Sequence, residues 1–130
     1  MKHIFKYKGR RCIVMRTEIG NYCAYVETTV RIGLSVGDPS PEEGVSCHGG
    51  VTFSGTMQGE GDVWFFGMDF AHYGDKFKLI LPNSNMKLTS FSEGHRWTFL
   101  EVVKETKKMC VEVLKYEVQV QGKTQTQGSV

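Results

Sequence analysis

The tightest constraint in this sequence is how little chain separates its first three apolar runs. Residues 3–7 alternate apolar and polar. Arg11-Cys12-Ile13-Val14-Met15-Arg16 and Tyr22-Cys23-Ala24-Tyr25-Val26-Glu27-Thr28 are rich in β-branched and aromatic side chains. Lys8-Gly9-Arg10 joins the first pair, and Ile19-Gly20-Asn21 the second. Gly and Asn enter positive φ at little cost, so both joins read as turns. A parallel return needs a crossover of about a dozen residues or more, so these runs are expected to pair as an antiparallel meander.

Further along, Val51-Thr52-Phe53-Ser54 reads as a short strand, and Val63 to Phe70 as an interior strand because it is apolar on both faces. Residues 33–46 and 74–95 show little periodicity and many turn formers, and are expected as loops, the second as a long functional loop. From Arg96 to Tyr116 the period changes. Trp97, Leu100, Val103, Met109 or Cys110, and Val113 or Leu114 recur at helical spacing, with Glu101, Lys104, Glu105, Lys107, Lys108 and Glu112 mostly opposite. The expected fold is α+β: an antiparallel sheet of about five strands with one C-terminal helix packed on a face. Residues 1–117 are expected to form one domain, and the polar segment 118–130 a flexible tail.

Composition limits what such a domain does. The chain has 130 residues, 40% hydrophobic, enough for a core without disulfides or a structural metal. Sixteen basic against fourteen acidic residues leave a net charge of +2. That argues against general nucleic-acid binding and against a membrane surface. No apolar run reaches the length of a membrane span, and no secretory leader is legible at the N-terminus. The four cysteines stand singly, as reduced core residues do in a cytoplasmic protein.

Residues able to do chemistry gather in two glycine-flanked segments. The first, from Cys47 to Gly55, holds His48-Gly49-Gly50; the second, from Gly67 to Asp75, holds Asp69, His72, Tyr73 and Asp75. Gly49-Gly50 allows a sharp bend, a close approach to the main chain and an anion-binding nest. Asp69, His72 and Asp75 follow at three-residue intervals, so one tight helical turn would stack them. With His48, two imidazoles and two carboxylates suit Zn²⁺, Mn²⁺ or Fe²⁺ with a position left for water. A structural account fits the same residues: Asp69 capping a turn, His72 donating to a carbonyl, Asp75 closing a Gly-Asp turn. Cys47 as a nucleophile lacks an evident base. No phosphate-binding loop, dinucleotide fingerprint or Gly-x-Ser-x-Gly elbow is present.

These two segments, His48-Gly49-Gly50-Val51-Thr52-Phe53-Ser54-Gly55 and Trp64-Phe65-Phe66-Gly67-Met68-Asp69-Phe70-Ala71-His72-Tyr73-Gly74-Asp75, lie with Tyr7-Lys8-Gly9, Cys12 and Cys23-Ala24-Tyr25-Val26 ahead of the helix after Trp97. Together the chain resembles a family of small, largely uncharacterised phage and prophage proteins. Its members carry His-Gly-Gly-x-Thr-x-x-Gly followed by Trp-x-x-Gly-x-Asp-x-Ala-His-x-Gly-Asp. The resemblance covers roughly residues 5–115, and its polar motif positions fall on His48, Asp69, His72 and Asp75. Met68 and Phe70 around the aspartate and the 76–95 stretch depart from the pattern. The resemblance implies a phage protein working in the host cytoplasm.

The expected function is a binding protein that interferes with a host defence system. It would sequester a small anionic or nucleotide ligand, or block a host protein. In the ligand version, the Gly49 and Gly50 amides hold the anionic group, His48 and His72 donate hydrogen bonds, Tyr73 packs on a ring, and Asp69 orients the histidines, with Asp75 also counted among the ligand-binding residues. The alternative is a metal-dependent phosphodiester hydrolase with His48, Asp69, His72 and Asp75 as ligands. Self-association is compatible with either.

Overall fold

The structure, a computed structural model, describes residues 1–71, 75–80, 87–90 and 95–128, with side chains described over 1–71 and 95–122. The meander is present as β1 (Lys2–Tyr7), β2 (Arg10–Arg16) and β3 (Tyr22–Thr28), joined antiparallel. Lys8 and Gly9 form the two-residue turn between Tyr7 and Arg10 with φ of 50° and 78°. Two positive φ values in succession are what a type I′ hairpin needs to match strand twist. A four-residue helix, α1 (Pro41–Gly44), interrupts the 33–46 segment that reads as loop in the sequence.

β4 (Phe53–Thr56) and β5 (Trp64–Asp69) complete a five-stranded antiparallel sheet in the order β1-β2-β3-β5-β4. β5 lies inside the sheet, as its two-sided apolar pattern requires: Phe65, Phe66, Gly67 and Met68 are all buried. Alternation assigns the faces. Cys12, Val14, Ala24, Val26, Phe66, Met68 and Phe70 belong to one core cluster with the C-terminal helix. Ile13, Cys23, Tyr25, Phe65, Gly67 and Asp69 point the other way.

The stretch 74–95 corrects the expectation of a long loop. β6 (Asp75–Ile80) pairs antiparallel with β7 (Lys87–Ser90), and β8 (His95–Arg96) runs parallel to β6. Lys76-Phe77-Lys78-Leu79 carries a short period-two alternation that the surrounding turn formers obscure.

α2 (Phe99–Gly128) packs on β2 and β3. It begins later than the 96–116 span expected and continues beyond it. Its buried stripe is Val102, Thr106, Met109, Cys110, Val113, Tyr116 and Glu117. Leu100, placed on the apolar stripe by sequence, is 77% exposed. At about 100° per residue it lies about 200° from Val102, on the far side of the helix. Two polar members hide the true phase of the stripe. Thr106 turns its hydroxyl back to the Val102 carbonyl at 2.7 Å, which satisfies it internally.

Glu117 is the other. It is 4% exposed, and four donors converge on its carboxylate. Arg10 grips both oxygens at 3.0 and 2.5 Å, the Thr28 hydroxyl donates at 2.8 Å, and the Thr29 N–H at 2.9 Å. A bidentate guanidinium on a desolvated carboxylate fixes both position and rotation of the helix. Nearby, Gly44 of α1 meets the Tyr116 ring so closely that an added Cβ would lie 2.3 Å from it. The Tyr116 hydroxyl donates to the Pro39 carbonyl at 3.0 Å, which seats the segment leading to Cys47.

On the opposite face Ile13 and Phe65 are also fully buried. The β4–β5 turn reaches back to the N-terminal strands there: Glu60 accepts from Lys2 at 2.8 Å and from Arg11 at 3.2 Å. Among the described residues, no helix is long and apolar enough to cross a membrane.

Breaking a buried ion pair from one side leaves an uncompensated charge, whereas replacing both partners does not. Arg10→Met is therefore expected to lower unfolding stability by about 3–5 kcal/mol in urea titration. The double variant Arg10→Met/Glu117→Leu should recover most of that loss. A single variant as stable as the parent would mean the clasp does not hold the helix.

Candidate functional site

Gly49 and Gly50 take φ of 68° and 82°, a consecutive left-handed pair that side-chain-bearing residues adopt only with strain. The Gly50 N–H closes the turn on the Cys47 carbonyl at 3.0 Å. That amide is spent inside the turn, so the expected anion cradle of both glycine amides does not form with Gly50. The turn sends Val51 into the core, 5% exposed.

His48, half-buried, lies flat on Phe70, ring centroids 4.7 Å apart with planes 8° off parallel. Trp97 meets both rings edge-on, at 4.7 Å from His48 and 4.9 Å from Phe70. On its other side Trp97 meets His95 at 4.6 Å. The offset and edge-to-face arrangements are those that aromatic quadrupoles favour. Four rings thus tie the glycine turn, the end of β5 and the approach to α2 into one cluster.

The approach is held by a capping box. The Thr98 N–H donates to Glu101 at 3.0 Å, and the Glu101 N–H donates to the Thr98 hydroxyl at 3.2 Å. The other Glu101 oxygen meets His95 Nε2 at 2.8 Å. The Thr98 N–H, followed by His95, holds the Glu101 carboxyl below its ordinary value of 4.5. Beside these rings lies a groove of about 340 Å³ lined by His95, Trp97, Glu101, Lys104, Glu105 and Lys108. Lys108 pairs with Glu105 at 3.2 Å, and Lys104 stands between the carboxylates without an ion pair among the described residues.

Asp69 goes elsewhere. It sits opposite Cys23 in the β3–β5 register and accepts the Ala71 N–H at 3.1 Å, the turn-capping role open to it from sequence. Burial pushes the Tyr25 phenol up to about 12, aided by Cys23 and Asp69. Burial, then the Asp69 charge, also raises the Cys23 thiol. The expected convergence of His48 and Asp69 with His72 and Asp75 involves residues outside those described. Strand alternation puts Asp69 on the face of Cys23 and Tyr25, whereas His48 packs on Phe70, on the helix face.

His72 and Tyr73 lie outside the described residues, as does the Asp75 side chain, whose backbone opens β6 beside His95. Among the described residues, no group of three His, Cys, Asp or Glu side chains is placed to hold a metal ion. Burial pushes the Cys47 thiol up to about 11, opposed only by the Gly50 amide, which works against a thiolate there.

His95, Trp97, Lys104 and Lys108 were not legible as site residues from composition or motif. One signal was available. Thr98-x-x-Glu101 is a capping box, and starting the helix there places 101, 104, 105 and 108 along one side.

A carboxyl lowered in the folded state stabilises at pH above its ordinary value, and that contribution is lost as pH falls through the lowered one. Glu101→Gln keeps an acceptor for Thr98 but not the charge. The Tm difference between parent and variant, present at neutral pH, is expected to close as pH falls below the ordinary carboxyl value of 4.5 and through the lowered one; a difference independent of pH would remove Glu101 from the cap. Comparison with protein-family models, with curated proteins and with solved structures gives no match for this chain.

Proposed function

We propose that this chain is a small binding protein that captures a compact anionic ligand bearing a flat ring, of the nucleotide class, in the groove between Trp97 and the first turns of α2. The observation that carries this reading is the pairing of an anchored aromatic wall with cations. Trp97 is braced by His48, Phe70 and His95, while Lys104 and Lys108 project from the helix beside it. A ring stacking on Trp97 or His95 would leave its phosphate toward the lysines. Glu101 and Glu105 would accept from ring amino or sugar hydroxyl groups. The site expected from sequence thereby moves: His48 supports the wall from behind, and Asp69 caps a strand end.

The likeness of the two glycine-flanked segments to phage proteins supports a use for such binding, the withdrawal of a nucleotide signal from a host system. Blockade of a host protein is the version in which the groove is idle.

Titration calorimetry with nucleoside mono-, di- and triphosphates tests the reading. Binding is expected to weaken about tenfold for Lys104→Glu and for Lys108→Glu, in keeping with loss of a charge-assisted contact, and to quench tryptophan fluorescence in a Trp64→Phe background. The ligand should be recovered intact on denaturation. No heat with any of these probes, or turnover of the ligand, would overturn it.

A further inference from the structure

A second surface, on β1 and the middle of α2, carries its own signal and does not depend on the nucleotide reading of the groove. Tyr7 ends β1 with two ammonium groups gathered over its ring, Lys8 Nζ at 5.5 Å and Lys107 Nζ at 5.4 Å from the centroid. Half of the described Lys and Arg side chains are matched: Lys2, Arg10, Arg11, Arg31, Lys108 and Lys115 each meet a carboxylate. Among the described residues, Lys6, Lys8, Arg16, Arg96, Lys104 and Lys107 do not, and of these Lys8 and Lys107 share one ring. Like charges brought to one ring repel, and an anion seated between them relieves that repulsion. Lys8 also holds φ at 50°, a turn position that Asn or Gly fills at less cost. Local strain thus keeps a cation where the fold alone has no need of one.

The charge continues in two directions. On α2, Lys104 lies about 60° around the helix from Lys107. Along β1, His3, Phe5 and Tyr7 share the face beside the helix, His3 exposed and the other two half-buried. The His3 ring meets Phe5 at 5.6 Å and Phe99 at 5.2 Å.

We infer that the strip from His3 along β1 to Lys8 and Lys107 binds a single-stranded nucleic acid, with phosphates at the Lys8–Lys107 pair and a base against the His3 platform. Rings beside a row of unmatched cations are what sequence-tolerant single-strand binding requires. The whole-chain charge of +2 does not reveal where along the chain the cations gather.

The test is fluorescence anisotropy with a labelled twelve-nucleotide oligothymidylate at low salt, using the full chain. Binding is expected for the parent, at least tenfold weaker for Lys8→Glu/Lys107→Glu, and several-fold weaker for His3→Ala. Lys115→Glu, at a matched cation away from the strip, should bind as the parent does. Losing two phosphate contacts should reduce the slope of log Kd against log salt by about 1.4. Each variant is checked by thermal melting, and Lys8→Gln/Lys107→Gln replaces the charge reversal if that variant does not fold. The inference is overturned by absence of binding to the parent, by a double variant that binds equally well, or by a duplex of the same length binding as tightly. Binding of phosphatidylserine vesicles in place of the oligonucleotide would also overturn it.

Discussion

Everything the helix does depends on the carboxylate of Glu117. A helix laid on a sheet through aliphatic contacts alone can slide or rotate at modest cost, because dispersion and burial are not directional. The bidentate Arg10 contact and the two threonine donors are directional. They pin the helix to the first turn of β2 and the last residue of β3. One turn from its start, the Thr98–Glu101 box fixes where the helix begins. Between those two points the phase of every intervening residue is set, including Lys104, Lys107 and Lys108.

That phase makes the surface chemistry. Trp97 stands immediately before the cap, so its ring is delivered to the same place each time the helix docks. There it closes on Phe70, the residue that carries β5 past its last ladder pair through a hydrogen bond to the Tyr22 carbonyl at 3.0 Å. His48 completes the wall from a turn that only two left-handed glycines allow. Rigid aromatic walls of this kind lose little entropy when a ligand settles on them, which is how small domains obtain useful affinity from few contacts.

The sheet was legible because local rules govern it: short joins impose antiparallel return, and two-sided apolarity puts β5 inside. The helix was legible as an element and along most of its stripe, but Leu100 was misplaced and Thr106 and Glu117 were missed, because the latter two are polar residues satisfied by partners far away in sequence or one turn back. Hydropathy has no means of anticipating Arg10 at 107 residues' distance. Asp69 was correctly seen as a strand end, whereas His48 stands in a turn ahead of β4. Proximity in sequence pattern suggested a common site, yet alternation along β5 sends neighbouring side chains to opposite faces, and a motif does not announce that. His95 and Trp97 were read as part of a loop and a core stripe, since nothing local marks a ring as part of a wall.

Glu60 has a role beyond its two ion pairs. It belongs to the turn of the last hairpin in the sheet order, yet it holds Lys2 and Arg11 on the first two strands. The edges of an open sheet ordinarily fray separately, each with its own small opening free energy. Here the outermost strand at one side is tethered to the turn serving the outermost strand at the other. Such a tether couples the two margins, so that fraying of β1 costs the turn of β4 its two ion-pair partners.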